Sequence, residues 1–154
     1  MGRYSDCFRE LYGKFTTWTW QELLFGIKNN IVDSEDIKDL TYDVISEDNA
    51  NYDLMLQILI AESDEIEAIV KELALKEKKQ NAYDIISKWI FTIIYHHYIK
   101  KTDSLYTVID DTYCEFNYPS EISNLVSYMP QEDGLLRDDA LKEYIKKGEG
   151  IWLV

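Results

Sequence analysis

The side chains here that could do chemistry are two adjacent histidines, two distant cysteines and a large excess of carboxylates. On a helix, His96 and His97 would point about 100° apart, so they cannot both ligate one metal in a simple helical site. No H-E-x-x-H motif accompanies them. They read as one histidine hydrogen-bonded in the core and one at the surface. Cys114 and His97 make a nucleophile-and-base pair by count alone, since no glycine-rich turn near Cys114 offers an oxyanion hole. Cys7 and Cys114 form no C-x-x-C pattern and read as reduced thiols of an intracellular protein. Phosphate-cradling loops of the G-x-x-x-x-G-K-[ST] or G-x-G-x-x-G kind do not occur.

Carboxylates carry the remaining possibilities. Asp111 and Glu115 stand four apart on one helical face with Asp110 beside them, a spacing that could hold a divalent cation. With 29 acids in the chain such spacings also arise by chance, and a solvated face is the preferred reading. The expectation is therefore no metal, no cofactor and no catalytic residue. Tyrosine presents an apolar body with a polar tip, which suits interface anchoring. Tyr113, Tyr118 and Tyr128 lie beside Asp110, Asp111, Glu115 and Glu121. These seven residues form the candidate partner-binding patch, complementary to Lys and Arg on another protein. Core tyrosines flanked by ordinary surface acids are the slightly preferred reading of the same residues.

The elements that would position these residues are helices. Only 6 Gly and 2 Pro occur in 154 residues, which favours long helices over tight hairpins. Tyr4, Cys7, Phe8, Leu11 and Tyr12 suggest a short first helix. Thr19-Trp20-Gln21-Glu22 matches a capping box, with Trp20, Leu23, Leu24 and Ile27 behind it as one apolar face. Asp33-Ser34 should cap a helix with Ile37, Leu40, Val44 and Ile45 inward. Asn49-Ala50-Asn51 reads as a loop before a helix burying Leu54, Met55, Ile58 and Leu59, and Ser63 as the cap of the next. Residues 81–100 are apolar around so much of their circumference that they should run through the core. Asp103 opens a further helix. Pro119 suits the first turn of another, which Pro130 stops, and a last helix over residues 138–147 should end at Gly148 as a left-handed cap. The predicted fold is all-α, about seven or eight helices in a compact antiparallel bundle or short helical stack, forming a single domain over residues 1–154.

Sixteen Lys and Arg against 29 Asp and Glu give a formal charge of −13. Nucleic acid and anionic membranes repel such a surface, while a basic protein is steered towards it. Residues 85–99 are too short and too polar to span a bilayer, and the N-terminus lacks the apolar core of a signal peptide. A cytoplasmic location is expected.

The run Asp110-Asp111-Thr112-Tyr113-Cys114-Glu115-Phe116-Asn117-Tyr118-Pro119-Ser120-Glu121-Ile122, closed by Tyr128-Met129-Pro130, resembles a bacterial family, domain of unknown function 2247. Thr19-Trp20-Gln21-Glu22-Leu23 is similar to that family's opening, whereas Cys114 and Asn117 depart from its pattern. The resemblance implies no catalytic residues. Small acidic proteins of this sort look like immunity proteins of bacterial toxin systems. The expected function is thus to bind and neutralise a basic toxin domain by surface occlusion. A small helical enzyme with a carboxylate-bound metal and a self-associating helical scaffold stand as alternatives. The sequence leaves the oligomeric state open.

Overall fold

A computed structural model describes residues 2–126 and 137–154. Among these residues the fold is all-α, as the hydrophobic periodicity requires. The helices are α1 (Ser5–Leu11), α2 (Trp20–Lys28), α3 (Ser34–Val44), α4 (Tyr52–Ile60), α5 (Ile66–Leu75), α6 (Ala82–Ile99), α7 (Leu105–Glu115) and α8 (Arg137–Trp152). Short 3₁₀ segments occupy Tyr12–Lys14, Ser63–Glu65 and Ser120–Leu125. The contacts fall into two compact units, Met1–Tyr12 with Thr17–Ile85, and Gly13–Thr16 with Ile86–Val154.

In the first unit α2 packs along α5, and α4 lies against both α3 and α5. The predicted capping box forms: Thr19 Oγ1 accepts from the Glu22 amide at 3.1 Å, and Glu22 Oε1 accepts from the Thr19 amide at 2.9 Å. Glu77, just past α5, adds a second cap by accepting from the amides of Trp20 and Gln21, each at 3.0 Å. A carboxylate there meets the positive end of the helix dipole as well as two orphan donors. Gln80 Nε2 donates to the buried Glu22 at 2.8 Å, so that carboxylate is satisfied on both oxygens.

Asp33 caps α3, as expected, within a reciprocal box completed by Asp36. Ile37 and Leu40 are buried, but Val44 is about half exposed because α3 ends on it. Ser63 does not cap α5. It starts the 3₁₀ turn, and α5 begins three residues later at Ile66 without a side-chain cap. Gly2 is required by proximity: a Cβ there would lie 2.5 Å from the Val32 Cα. That closeness lets the Arg3 and Tyr4 amides donate to the carbonyls of Asn30 and Ile31 at 2.8 and 2.9 Å.

The second unit contains most of α6, which is buried on nearly every side from Ser87 to His96. Lys88 is buried there, its ammonium 5.7 Å from the Phe15 ring centre and 5.9 Å from that of Trp152. Gly148 does not end the last helix. It lies inside α8, where a Cβ would approach the Phe91 ring to 2.1 Å, so the missing side chain lets α8 close on α6. Beyond it the chain end is strapped down: the Thr16 amide donates to the Trp152 carbonyl at 3.0 Å and the Val154 amide to that of Lys14 at 3.1 Å. Asp103 stands just before Ser104, which takes the cap position of α7, and Pro119 precedes the 3₁₀ turn of Ser120–Leu125. No helix among the described residues is long and apolar enough to cross a membrane.

Candidate functional site

The expected patch lies on α7 and the turn after it, within the second unit. α7 ends on two residues in the left-handed region, Asn117 at φ 63° and Tyr118 at φ 58°. The Tyr118 amide reaches back to the Tyr113 carbonyl at 2.8 Å, which closes the helix end. A non-glycine residue in that conformation costs roughly 1–2 kcal/mol, offset here by packing. The Tyr118 ring meets the Tyr113 ring edge-on at 5.3 Å, so Tyr118 clamps the corner while exposing 60% of its surface.

Its companions point different ways. Asp111 and Glu115 are exposed, and Tyr113 is buried. Asp110 accepts from Arg137 Nη2 at 3.2 Å. Glu121 accepts from Ser87 Oγ at 2.9 Å and is half-buried, and that burial pushes its carboxyl above the usual range. Tyr128 lies outside the described residues. The patch therefore brings Asp111, Glu115 and Tyr118 to the surface and turns Asp110, Tyr113 and Glu121 inward.

Arg137 is the residue that the sequence reading missed. Its guanidinium stacks on the Tyr106 ring at 3.7 Å, donates to the Leu125 carbonyl and pairs with Asp110. The Tyr106 hydroxyl donates in turn to Asp138. Burial and that bond push the Tyr106 phenol up to about 12. A fixed cation thus already sits on the carboxylate that a divalent ion would need.

The histidines divide as expected in part. His96 is buried, while His97 is half-buried with Nδ1 3.2 Å from Thr102 Oγ1. Burial lowers the His97 pKa, helped by the charges of His96 and Lys100. Cys114 is exposed on α7.

A second acidic region, in the first unit, was not expected to be a contact face; its Glu62, Asp64, Glu65 and Glu67 read from spacing as a solvated face. Residues 33–67 hold twelve Asp and Glu and a single basic residue, Lys38, giving −11 of the total −13. A windowed charge count would have found it. Asp36 is its one fully buried carboxylate. It accepts from Ser5 Oγ at 2.5 Å and pairs with Arg9, which also reaches Asp39 at 3.1 Å. The bond to Asp36 is the chief reason the Arg9 guanidinium is held above its ordinary pKa, with the charges of Asp36, Asp39 and Asp33 adding to it against desolvation. Tyr12 donates to Asp43, and that bond first, then burial, pushes its phenol up to about 12.

Arg9, Tyr12, Asp39, Tyr42 and Asp43 line an open groove of about 300 Å³. The first unit also exposes apolar side chains on α3 and α4. Tyr42 is 73% exposed and Ile60 83%, with Leu56 also outward. An exterior that combines carboxylates with uncovered apolar side chains is suited to contact with another protein.

The fold and these surfaces define an all-α protein with acidic, tyrosine-bearing faces. The family model for DUF2247, uncharacterised proteins conserved in bacteria, matches residues 10–149, and the chain belongs to that family. No curated protein and no solved structure matches it.

Proposed function

We propose that this chain is an immunity- or inhibitor-type protein that binds a basic bacterial toxin domain and neutralises it by covering its surface. The observation that carries this reading is the concentration of charge over residues 33–67, where all but two of the twelve acids are exposed. Such a field accelerates encounter with a cationic partner, and uncovered apolar side chains then hold the complex. The rival reading, a metal enzyme built on Asp110, Asp111 and Glu115, is opposed by the Arg137 guanidinium on Asp110.

Co-expression with the product of the adjacent gene tests the proposal. The expected result is a complex whose association rate falls steeply as salt is added. Absence of a complex at low ionic strength would count against the reading. Heat on titration with magnesium or manganese would favour the enzyme instead.

A further inference from the structure

Within the first unit, α3 and its neighbour α4 each turn an outward stripe to solvent. On α3 the exposed Glu35, Asp39, Tyr42 and Asp43 recur at the spacing of one helical face, with Val44 also exposed at the helix end. On α4 they are Asp53, Leu56, Gln57 and Ile60, at i, i+3, i+4 and i+7. The α4 stripe is anomalous. A solvent-facing stripe normally carries charges, yet here two of its four residues are large aliphatics, while Met55 and Ile58 already fill the buried side. Covering an exposed aliphatic side chain such as Ile60 removes apolar surface from water, so a partner gains by settling on it.

We infer that the α3–α4 face is the docking surface, and that its occupant is a cationic amphipathic helix of a partner protein. The assignment rests on the reading of the chain as a binder of a basic protein. Charge selects the occupant. A second copy of this chain would bring another strongly negative face, and nucleic acid or an anionic membrane would be repelled in the same way. An amphipathic helix with one basic side satisfies both stripes together: its apolar residues lie on Leu56 and Ile60, and its lysines or arginines reach the carboxylates of α3. The groove beside Tyr42 can take one of those cations. Its described lining sets one guanidinium, Arg9, against two carboxylates, Asp39 and Asp43, so the lining stays negative and the exposed Tyr42 ring offers a face to a cation.

The test uses the full chain and two labelled peptides of identical leucine and lysine composition, one amphipathic as a helix and one scrambled. Binding is followed by fluorescence anisotropy at several ionic strengths. The amphipathic peptide should bind about tenfold more tightly than the scrambled one. The pair Leu56→Ser/Ile60→Ser should remove that preference, and Asp53→Lys/Gln57→Lys should weaken binding about tenfold. Both pairs change exposed positions, and circular dichroism checks that helix content is retained. Asp111→Lys/Glu115→Lys on α7 should leave affinity within about twofold. Loss confined to the α7 variant would move the docking surface there and leave the proposed function standing. Equal binding of the two peptides would overturn the apolar half of the assignment. Failure of both peptides to bind at low ionic strength would overturn the face and the proposed function together.

Discussion

On α7 the acids and tyrosines are turned largely to internal use: Asp110 holds Arg137, Tyr113 is buried, and Glu121 meets Ser87. On α3 the same ingredients are turned outward, with Asp36 alone committed to the interior and Asp39, Tyr42 and Asp43 exposed. The charge balance of the two units follows the same division. The first carries 18 acidic and 8 basic residues, or −10, and the second 11 and 8, or −3. The lesson is that an acid-and-tyrosine motif does not by itself mark a contact face. What matters is how many of the carboxylates stay exposed once the cations of the same chain are placed: Arg9 reaches Asp36 and Asp39 on α3, yet ten of the twelve acids over residues 33–67 are exposed.

The most severe way to break this contrast is to remove the anchor beneath the outward face. Asp36→Ala strips Arg9 and Ser5 of their shared partner and opens the α3 capping box. A loss of about 3 kcal/mol is expected, read as a lower urea midpoint. A loss under about 1 kcal/mol would mean that this buried carboxylate does not hold the acidic face in place. In the second unit Gly148→Ala drives a methyl group into the Phe91 ring and should cost about 2 kcal/mol. An unchanged melting temperature would show that α6 and α8 need no such close approach.

A finer test compares the acids themselves. Asp110→Ala leaves Arg137 half-buried without its carboxylate and should cost about 1 kcal/mol. Glu47→Gln, at an exposed position, should change stability by less than about 0.5 kcal/mol. Equal costs would erase the distinction between inward and outward acids.

The smallest effect is spectroscopic. Tyr12 and Tyr106, one in each unit, should ionise near about 12 instead of 10 in an absorbance titration. Because the folded-state pKa is the higher one, each bond contributes stability that is complete below pH 10 and is lost as pH rises through about 12. Asp43→Asn should return Tyr12 towards the ordinary value and leave Tyr106 where it is.

Helix content and most boundaries were legible because they depend on neighbours in sequence. The Thr19 and Asp33 capping boxes and the heavy burial of α6 are local signals, and they appear where expected. Gly148 was misleading for a tertiary reason: a glycine that ends a helix and a glycine that admits an aromatic ring look identical in one dimension. Of the seven candidate patch residues, Tyr128 falls outside the described residues, while Asp110, Tyr113 and Glu121 have partners or burial that no spacing rule reveals. Arg137 lies 27 positions from Asp110, so their pairing depends on the fold of the second unit. The charge concentrated over residues 33–67 was available to simple counting, but a search for motifs passes over it.

The strap of residues 13–16 against 152–154 has a consequence for the newborn chain. Those four residues leave the ribosome well before the backbone groups they bond. Apart from that excursion the first unit ends at Ile85, so its helices can assemble while translation continues. The strap must wait through some 135 further residues before its hydrogen bonds can close, and so long a loop makes it a late event in folding.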